Sequence, residues 1–221
     1  MLELVQVNKS YPTPQGPLSV LQGVDLHLAA GESLALMGES GCGKSTLLHL
    51  AAGLDTPDSG EIRLDGRSLS ALEEPGRARL RRERLGLVFQ QFHLVPSLSV
   101  ADNLRLQARL AGREDPAWNR TLLERLGLTT MADRYPERLS GGQQQRLAIG
   151  RALAARPDLL MADEPTGNLD ESSADEVLEL LLALVKDSGC ALLMVTHSPR
   201  VAAPLDRCLR LTHGRIEETA P

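Results

Sequence analysis

Apolar and polar positions follow two rhythms along this chain. Near the N-terminus the period is two: Val24, Leu26 and Leu28 alternate with Asp25 and His27. Ala30-Gly31-Glu32 then turns the chain into the apolar run Leu34-Ala35-Leu36-Met37. This is a strand–turn–strand pattern whose second strand is buried. Residues 1–7 read as a first strand rather than a secretory leader. A turn at Thr56-Pro57-Asp58-Ser59-Gly60 leads into a short strand at 61–64 and the turn pair Asp65-Gly66. Residues 86–89 form another buried strand. From 91 to about 138 the strand-like runs stop. Helical stretches at 100–110 and 117–126 replace them, separated by Gly112, Pro116 and Gly127. Alternation then resumes, with a helix at 143–155, a strand at 159–162, a helix at 172–186 and a strand at 191–196.

Strands alternating with helices imply a mostly parallel α/β sheet, with its ligand at the carboxyl ends of the strands. The helical stretch is an insertion. The organisation expected is one domain over 1–221, with a core at about 1–90 and 156–221 and a helical subdomain at about 91–155. With 221 residues and 42% hydrophobic content, the chain can bury one sizeable core. Its net charge of −5 argues against nucleic acid as the main partner. Arg77, Arg79, Arg81, Arg82 and Arg84 are diluted by Glu73, Glu74 and Glu83, so they read as a solvated helix face. Cys42, Cys190 and Cys208 are odd in number and form no C-x-x-C pair, which points to a reduced, cytosolic protein without structural disulfides or zinc. No apolar run approaches the ~18 residues needed to cross a bilayer, so any transport pore must be another polypeptide.

One run decides the chemistry. Gly38-Glu39-Ser40-Gly41-Cys42-Gly43-Lys44-Ser45 fits the phosphate-binding pattern G-x-x-x-x-G-K-[ST]. A buried strand precedes it, and Thr46-Leu47-Leu48-His49-Leu50, rich in helix formers, follows. The glycines let the backbone turn tightly and aim N–H groups at phosphate oxygens, at the positive end of the helix. Lys44 reaches the β- and γ-phosphates, and the Ser45 hydroxyl holds Mg²⁺. The fixed positions would match by accident in on the order of one per cent of chains this long. A nucleoside triphosphate is therefore the expected ligand.

Two further stretches complete an ATPase. Asp163 and Glu164 follow the apolar strand Leu159-Leu160-Met161-Ala162. A carboxylate at a strand end can hold Mg²⁺, the role given to Asp163, while Glu164 orients the attacking water as general base. Leu139-Ser140-Gly141-Gly142-Gln143 opens a helix, with Ser140 as its N-cap and the two glycines leaving N–H groups unobstructed. This is a second anion site in one chain.

In these motifs the chain resembles the ATPase subunits of ABC transporters over essentially its whole length. The order matches: phosphate loop, Gln90 after a strand, LSGGQ, the strand with Asp163 and Glu164, Asn168-Leu169-Asp170, and His197 after Val195-Thr196. The resemblance implies a P-loop NTPase (RecA-like) core, with an N-terminal antiparallel β subdomain and an inserted helical subdomain. It implies a head-to-tail homodimer, in which LSGGQ of one copy completes the site built by the phosphate loop of the other. Each ATP would lie between Lys44 and His197 of one chain and Ser140 and Gly142 of its partner. Gln90 would sense Mg²⁺ and the attacking water, and Asp170 would lie at the dimer seam. Tyr11, ahead of a proline-rich loop from Pro12 to Pro17, matches the aromatic residue that stacks on adenine, which stabilises by about 1 kcal/mol.

The segments 90–104 and 163–170 look most like the lipoprotein-releasing and macrolide-export group. The resemblance therefore implies separate integral membrane permease subunits, a location on the cytoplasmic face of the inner membrane, and export or lipoprotein extraction. Phe92, Leu94, Val95 and Pro96 would form either a groove for the permease or core of the helical insertion. Ser198 departs from the group, which usually carries an acid after the histidine. A non-transport ATPase, such as a cell-division partner at the membrane, is the alternative.

Overall fold

A computed structural model describes residues 1–218. In chain order the elements are β1 (Leu2–Thr13), β2 (Gly16–Leu28), β3 (Ser33–Met37), α1 (Lys44–Ala51), β4 (Ser59–Leu64), β5 (Arg67–Ser68), α2 (Glu74–Arg84) and β6 (Leu85–Val88). There follow α3 (Val100–Leu110), α4 (Pro116–Arg125), α5 (Gly141–Leu153), β7 (Leu159–Asp163), α6 (Glu171–Ser188), β8 (Ala191–Thr196), α7 (Pro199–Ala202), β9 (Arg207–Thr212) and β10 (Arg215–Glu218). They group into two compact units: Met1–Arg81 with the chain from Ala191 onward, and Arg82–Cys190.

The first unit contains an antiparallel sheet, with β1 paired to β2 on one side and to β4 on the other, and β5 beyond β4. The same unit holds β3 in parallel pairing with both β8 and β9, so that Leu36 lies opposite Val195 and Leu209. Strand β8 is buried throughout, and β3 from Leu34 onward, which is why both read as unbroken apolar runs. β10 closes this edge antiparallel to β9.

The second unit pairs β6 parallel to β7 and carries α3 to α6. Its helices start where side chains satisfy the first N–H groups. The Ser99 hydroxyl accepts from Asp102 N at the head of α3, and Asp115 accepts from Ala117 N and Trp118 N ahead of Pro116. Asp170 caps α6, and Gly189 ends it at φ +68°.

Two expectations need correcting. Residues 12–17 are not a loop: β1 continues to Thr13 and pairs Tyr11 with Leu18 and Pro12 with Pro17, leaving only Pro14-Gln15 as the turn. Proline tolerates this edge position, where no ladder N–H is required of it. The helix expected at 143–155 starts at Gly141, because the cap at Ser140 outweighs the poor helix propensity of two glycines. The C-terminal strands β9 and β10 escaped the periodicity altogether, being short and broken by Asp206, His213 and Gly214.

Candidate nucleotide site

In the first unit, β3 ends at Met37 and α1 begins at Lys44, and the six residues between them form the cradle. Two of its glycines, Gly38 and Gly43, are sterically required. A Cβ on Gly38 would sit 2.5 Å from the Leu211 carbonyl oxygen and 2.6 Å from Cys42 Sγ. Gly43 caps α1 at φ +107°, a conformation other residues rarely adopt, and a Cβ there would lie 2.9 Å from Val20. The Lys44 ammonium is buried and donates to the carbonyl oxygens of Gly38 at 2.9 Å and Glu39 at 2.8 Å. Its charge is thus held inside the loop. α1 has no acidic residue in its first turn and no side-chain cap, so its positive end is unopposed and suits an anion. Ser45 is exposed and Thr46 half-buried at that end.

Tyr11 belongs to the same unit. Its ring is exposed, its hydroxyl donates to Asp55 Oδ2 at 2.9 Å, and the Lys9 ammonium lies 5.1 Å from the ring centroid. Burial and the Asp55 hydrogen bond raise the Tyr11 pKa above its ordinary value. Burial works against ionisation of Asp55, but Lys9, the Thr56 N–H and the Tyr11 hydroxyl outweigh it and hold the carboxyl below its ordinary range. His197 is exposed just past β8. The Ser198 N–H donates to the buried Thr196 hydroxyl at 3.1 Å, so the backbone supports this turn without an acid at 198.

The second unit holds the acids. Asp163 is the last residue of β7, and Glu164 turns to φ +45°. That left-handed backbone swings Glu164 out of the strand direction and costs about 1 kcal/mol or more in a non-glycine residue. The turn is braced by a Gly167 N–H bond to the Glu164 carbonyl, 3.0 Å, and by the Gln145 amide donating to the Pro165 carbonyl. Gln90 and Asn168 clasp each other. The Gln90 amide donates to Asn168 Oδ1 at 3.2 Å, and the Asn168 amide donates to the Gln90 carbonyl at 3.0 Å. The residues after Gln90 are held by Arg151 of α5, which donates to the carbonyls of Phe92 at 3.0 Å and His93 at 2.6 Å. Burial lowers the pKa of that guanidinium.

Ser140 and Gln143 form a capping box: Gln143 N donates to Ser140 Oγ at 3.3 Å, and Ser140 N donates to Gln143 Oε1 at 3.0 Å. Gly141 is exposed and Gly142 half-buried in the first turn of α5. A Cβ on Gly141 would lie 3.5 Å from Leu169 and 3.9 Å from Phe92. Phe92, Leu94 and Val95 are half-buried and Pro96 is exposed, which suits a partly open surface better than a sealed core.

The fold therefore sets Tyr11, residues 38–46 and His197 in one unit, and Gln90, Ser140, Gly141, Gly142, Gln143, Asp163 and Glu164 in the other. Lys9, Asp55, Gln145 and Arg151 escaped the sequence reading. Lys9 had one signal, its place two residues before Tyr11 on the same face of a strand. The rest act through contacts remote in sequence.

Residues 21–167, more than half of the chain, match the ABC transporter family model, and the phosphate loop, LSGGQ and both acids lie inside that match. The chain belongs to the ABC transporter family. It is an ATP-binding subunit with ATPase activity. It is 47% identical to the uncharacterized ABC transporter ATP-binding protein YbbA of Escherichia coli (strain K12), covering 100% of this chain and 98% of that one. It is 46% identical to the lipoprotein-releasing system ATP-binding protein LolD 1 of Rhodospirillum rubrum, covering 97% and 96%. Among solved structures, the dimeric post-hydrolysis state of the cassette MJ0796 bound to ADP and Pi superimposes with a TM-score of 0.88 at 35% identity, over 100% of both chains. Among the described residues, no helix is long and apolar enough to cross a membrane.

Proposed function

We propose that this cassette works as a head-to-tail homodimer on the cytoplasmic face of the inner membrane, driving separate integral membrane subunits in export or in lipoprotein or lipid extraction. The observation that carries this reading is that one chain has two helix N-termini built for anions. α1 has its buried lysine and glycine loop, and α5 has a glycine-lined first turn. A single nucleotide uses both if they come from two copies.

In the proposed reaction Lys44 and His197 bind the γ-phosphate, and Ser140 and Gly142 of the second copy bind it from the other side. Glu164 accepts a proton from the attacking water, which Gln90 orients. The oxygen donors Ser45, Gln90 and Asp163 suit a hard cation. Mg²⁺ bound there would neutralise charge on the β- and γ-phosphate oxygens. Tyr11 stacks on the base. ATP binding closes the dimer, and hydrolysis removes the anionic bridge and reopens it.

Complementation tests the shared site. Lys44→Ala destroys both cradles of its homodimer and Gly142→Asp blocks both α5 termini of its own, so each homodimer is inactive. Mixing the two variants restores turnover, because Lys44 of one chain meets the intact LSGGQ of the other. A mixture as inactive as its components would refute the head-to-tail arrangement.

A further inference from the structure

The segment that follows α1 clamps β1 next to Tyr11. Ser10 N donates to Asp58 Oδ2 at 2.6 Å, and Asp58 N donates to the Asn8 carbonyl at 2.9 Å. Within this clamp Asp55 uses both oxygens. Oδ2 accepts from the Tyr11 hydroxyl, while Oδ1 accepts from Lys9 Nζ at 3.0 Å and from Thr56 N at 2.7 Å. Lys9 is 8% exposed, far below what a surface lysine shows, and its ammonium also donates to the Thr56 carbonyl at 2.8 Å. A buried lysine needs a reason, and here its charge holds a carboxylate and faces an aromatic ring.

We propose that Asp55, backed by Lys9, is a positioning residue for nucleotide-base recognition, locking the Tyr11 ring at a fixed offset from the phosphate loop. The proposal rests on the reading of Tyr11 as the base platform. An exposed tyrosine on a hairpin would otherwise lose side-chain freedom each time a base stacked on it, and a ring already anchored at its hydroxyl avoids that loss. Asp55 lies four residues beyond α1, whose first residue is Lys44, and Leu54 N donates to the His49 carbonyl at 2.9 Å. The base end and the phosphate end of the ligand are thereby referred to one helix.

The test measures Mg²⁺-dependent binding of ATP and of inorganic triphosphate, which has phosphates but no base. Asp55→Ala weakens ATP about two- to tenfold, the gain expected from immobilising one side chain, and leaves triphosphate unchanged. Tyr11→Phe, which keeps the ring and loses the anchor, matches it, and the double variant is no weaker than either single one. Asp55→Asn, which keeps an oxygen for the tyrosine hydroxyl, recovers most of the ATP affinity and serves if the alanine variant does not fold. Equal losses for ATP and triphosphate would make Asp55 a support of the phosphate loop only and overturn the proposal. Tyr11→Ala weakening ATP while Asp55→Ala does not would overturn it too, with the base platform intact. If Tyr11→Ala leaves ATP binding unchanged, the platform reading itself fails.

Discussion

Glu164 occupies left-handed backbone at φ +45°, where an ordinary residue gains nothing by being. The bonds from Gly167 N–H and from Gln145 to the next residue make that turn persist, and they put a carboxylate one residue past Asp163 on a different heading. Strain of this kind clusters at functional sites and motivates a test of this carboxylate, although Gln6, Asp65, His93, Arg156 and His213 share the backbone region. Glu164→Gln keeps size and hydrogen bonding but cannot take a proton. It should bind ATP normally, lower turnover by about 10²-fold or more, and elute as an ATP-dependent dimer on size exclusion. Undiminished turnover would remove Glu164 from the base role. At this scale the sequence was informative: Lys44, Asp163 and Glu164 could be named from a spacing rule and a strand end. The left-handed turn at Glu164 could not, because it depends on Gln145 bonding Pro165, twenty residues away.

Among the elements, α5 does the most. LSGGQ runs through its N-cap into its first turn, Gln145 secures the loop after Glu164, and Arg151 secures the segment after Gln90. α3 shows how such a segment is kept in shape. Asn103 is fully buried, accepts from Val95 N at 2.8 Å, and donates to the carbonyls of Val95, Leu98 and Ser99 at 3.0, 2.9 and 3.1 Å. The amide serves Val95 N and the Leu98 carbonyl in this irregular segment, whereas the Val95 and Ser99 carbonyls also accept from Leu98 N at 3.1 Å and Asn103 N at 2.8 Å. Asn103→Ala takes the amide away from Val95 N and the Leu98 carbonyl and should cost about 2–4 kcal/mol in urea unfolding. A loss below about 0.5 kcal/mol would show that water replaces the amide. The helices at 100–110 and 117–126 were legible from their composition and breakers, although Pro116 belongs to α4 and not to the break before it, and α7 was not read. The hairpin at 12–17 was misread because proline there resembles loop chemistry, and only pairing with β2 shows otherwise.

For the whole molecule, full-length similarity to LolD 1 and the absence of a membrane-crossing helix among the described residues make the partner the decisive unknown. The cassette purified from detergent-solubilised membranes should bring with it an integral membrane protein, identifiable by mass spectrometry. Recovery of a cell-division protein would favour signalling over transport, and recovery of no membrane protein would count against both. The amino-acid sequence by itself determined the chemistry and the class of fold. Phosphate binding needs glycines, a lysine and a hydroxyl at consecutive positions, and strand and helix periods are local properties of the chain. The tertiary structure decided what surrounds those groups. The anchoring of Tyr11 by Asp55, 44 residues later, the clasp of Gln90 with Asn168, 78 residues later, and the pairing of β3 with β8 and β9 exist only once distant segments are packed together. A local pattern carries no information about which remote polar group will satisfy a buried one.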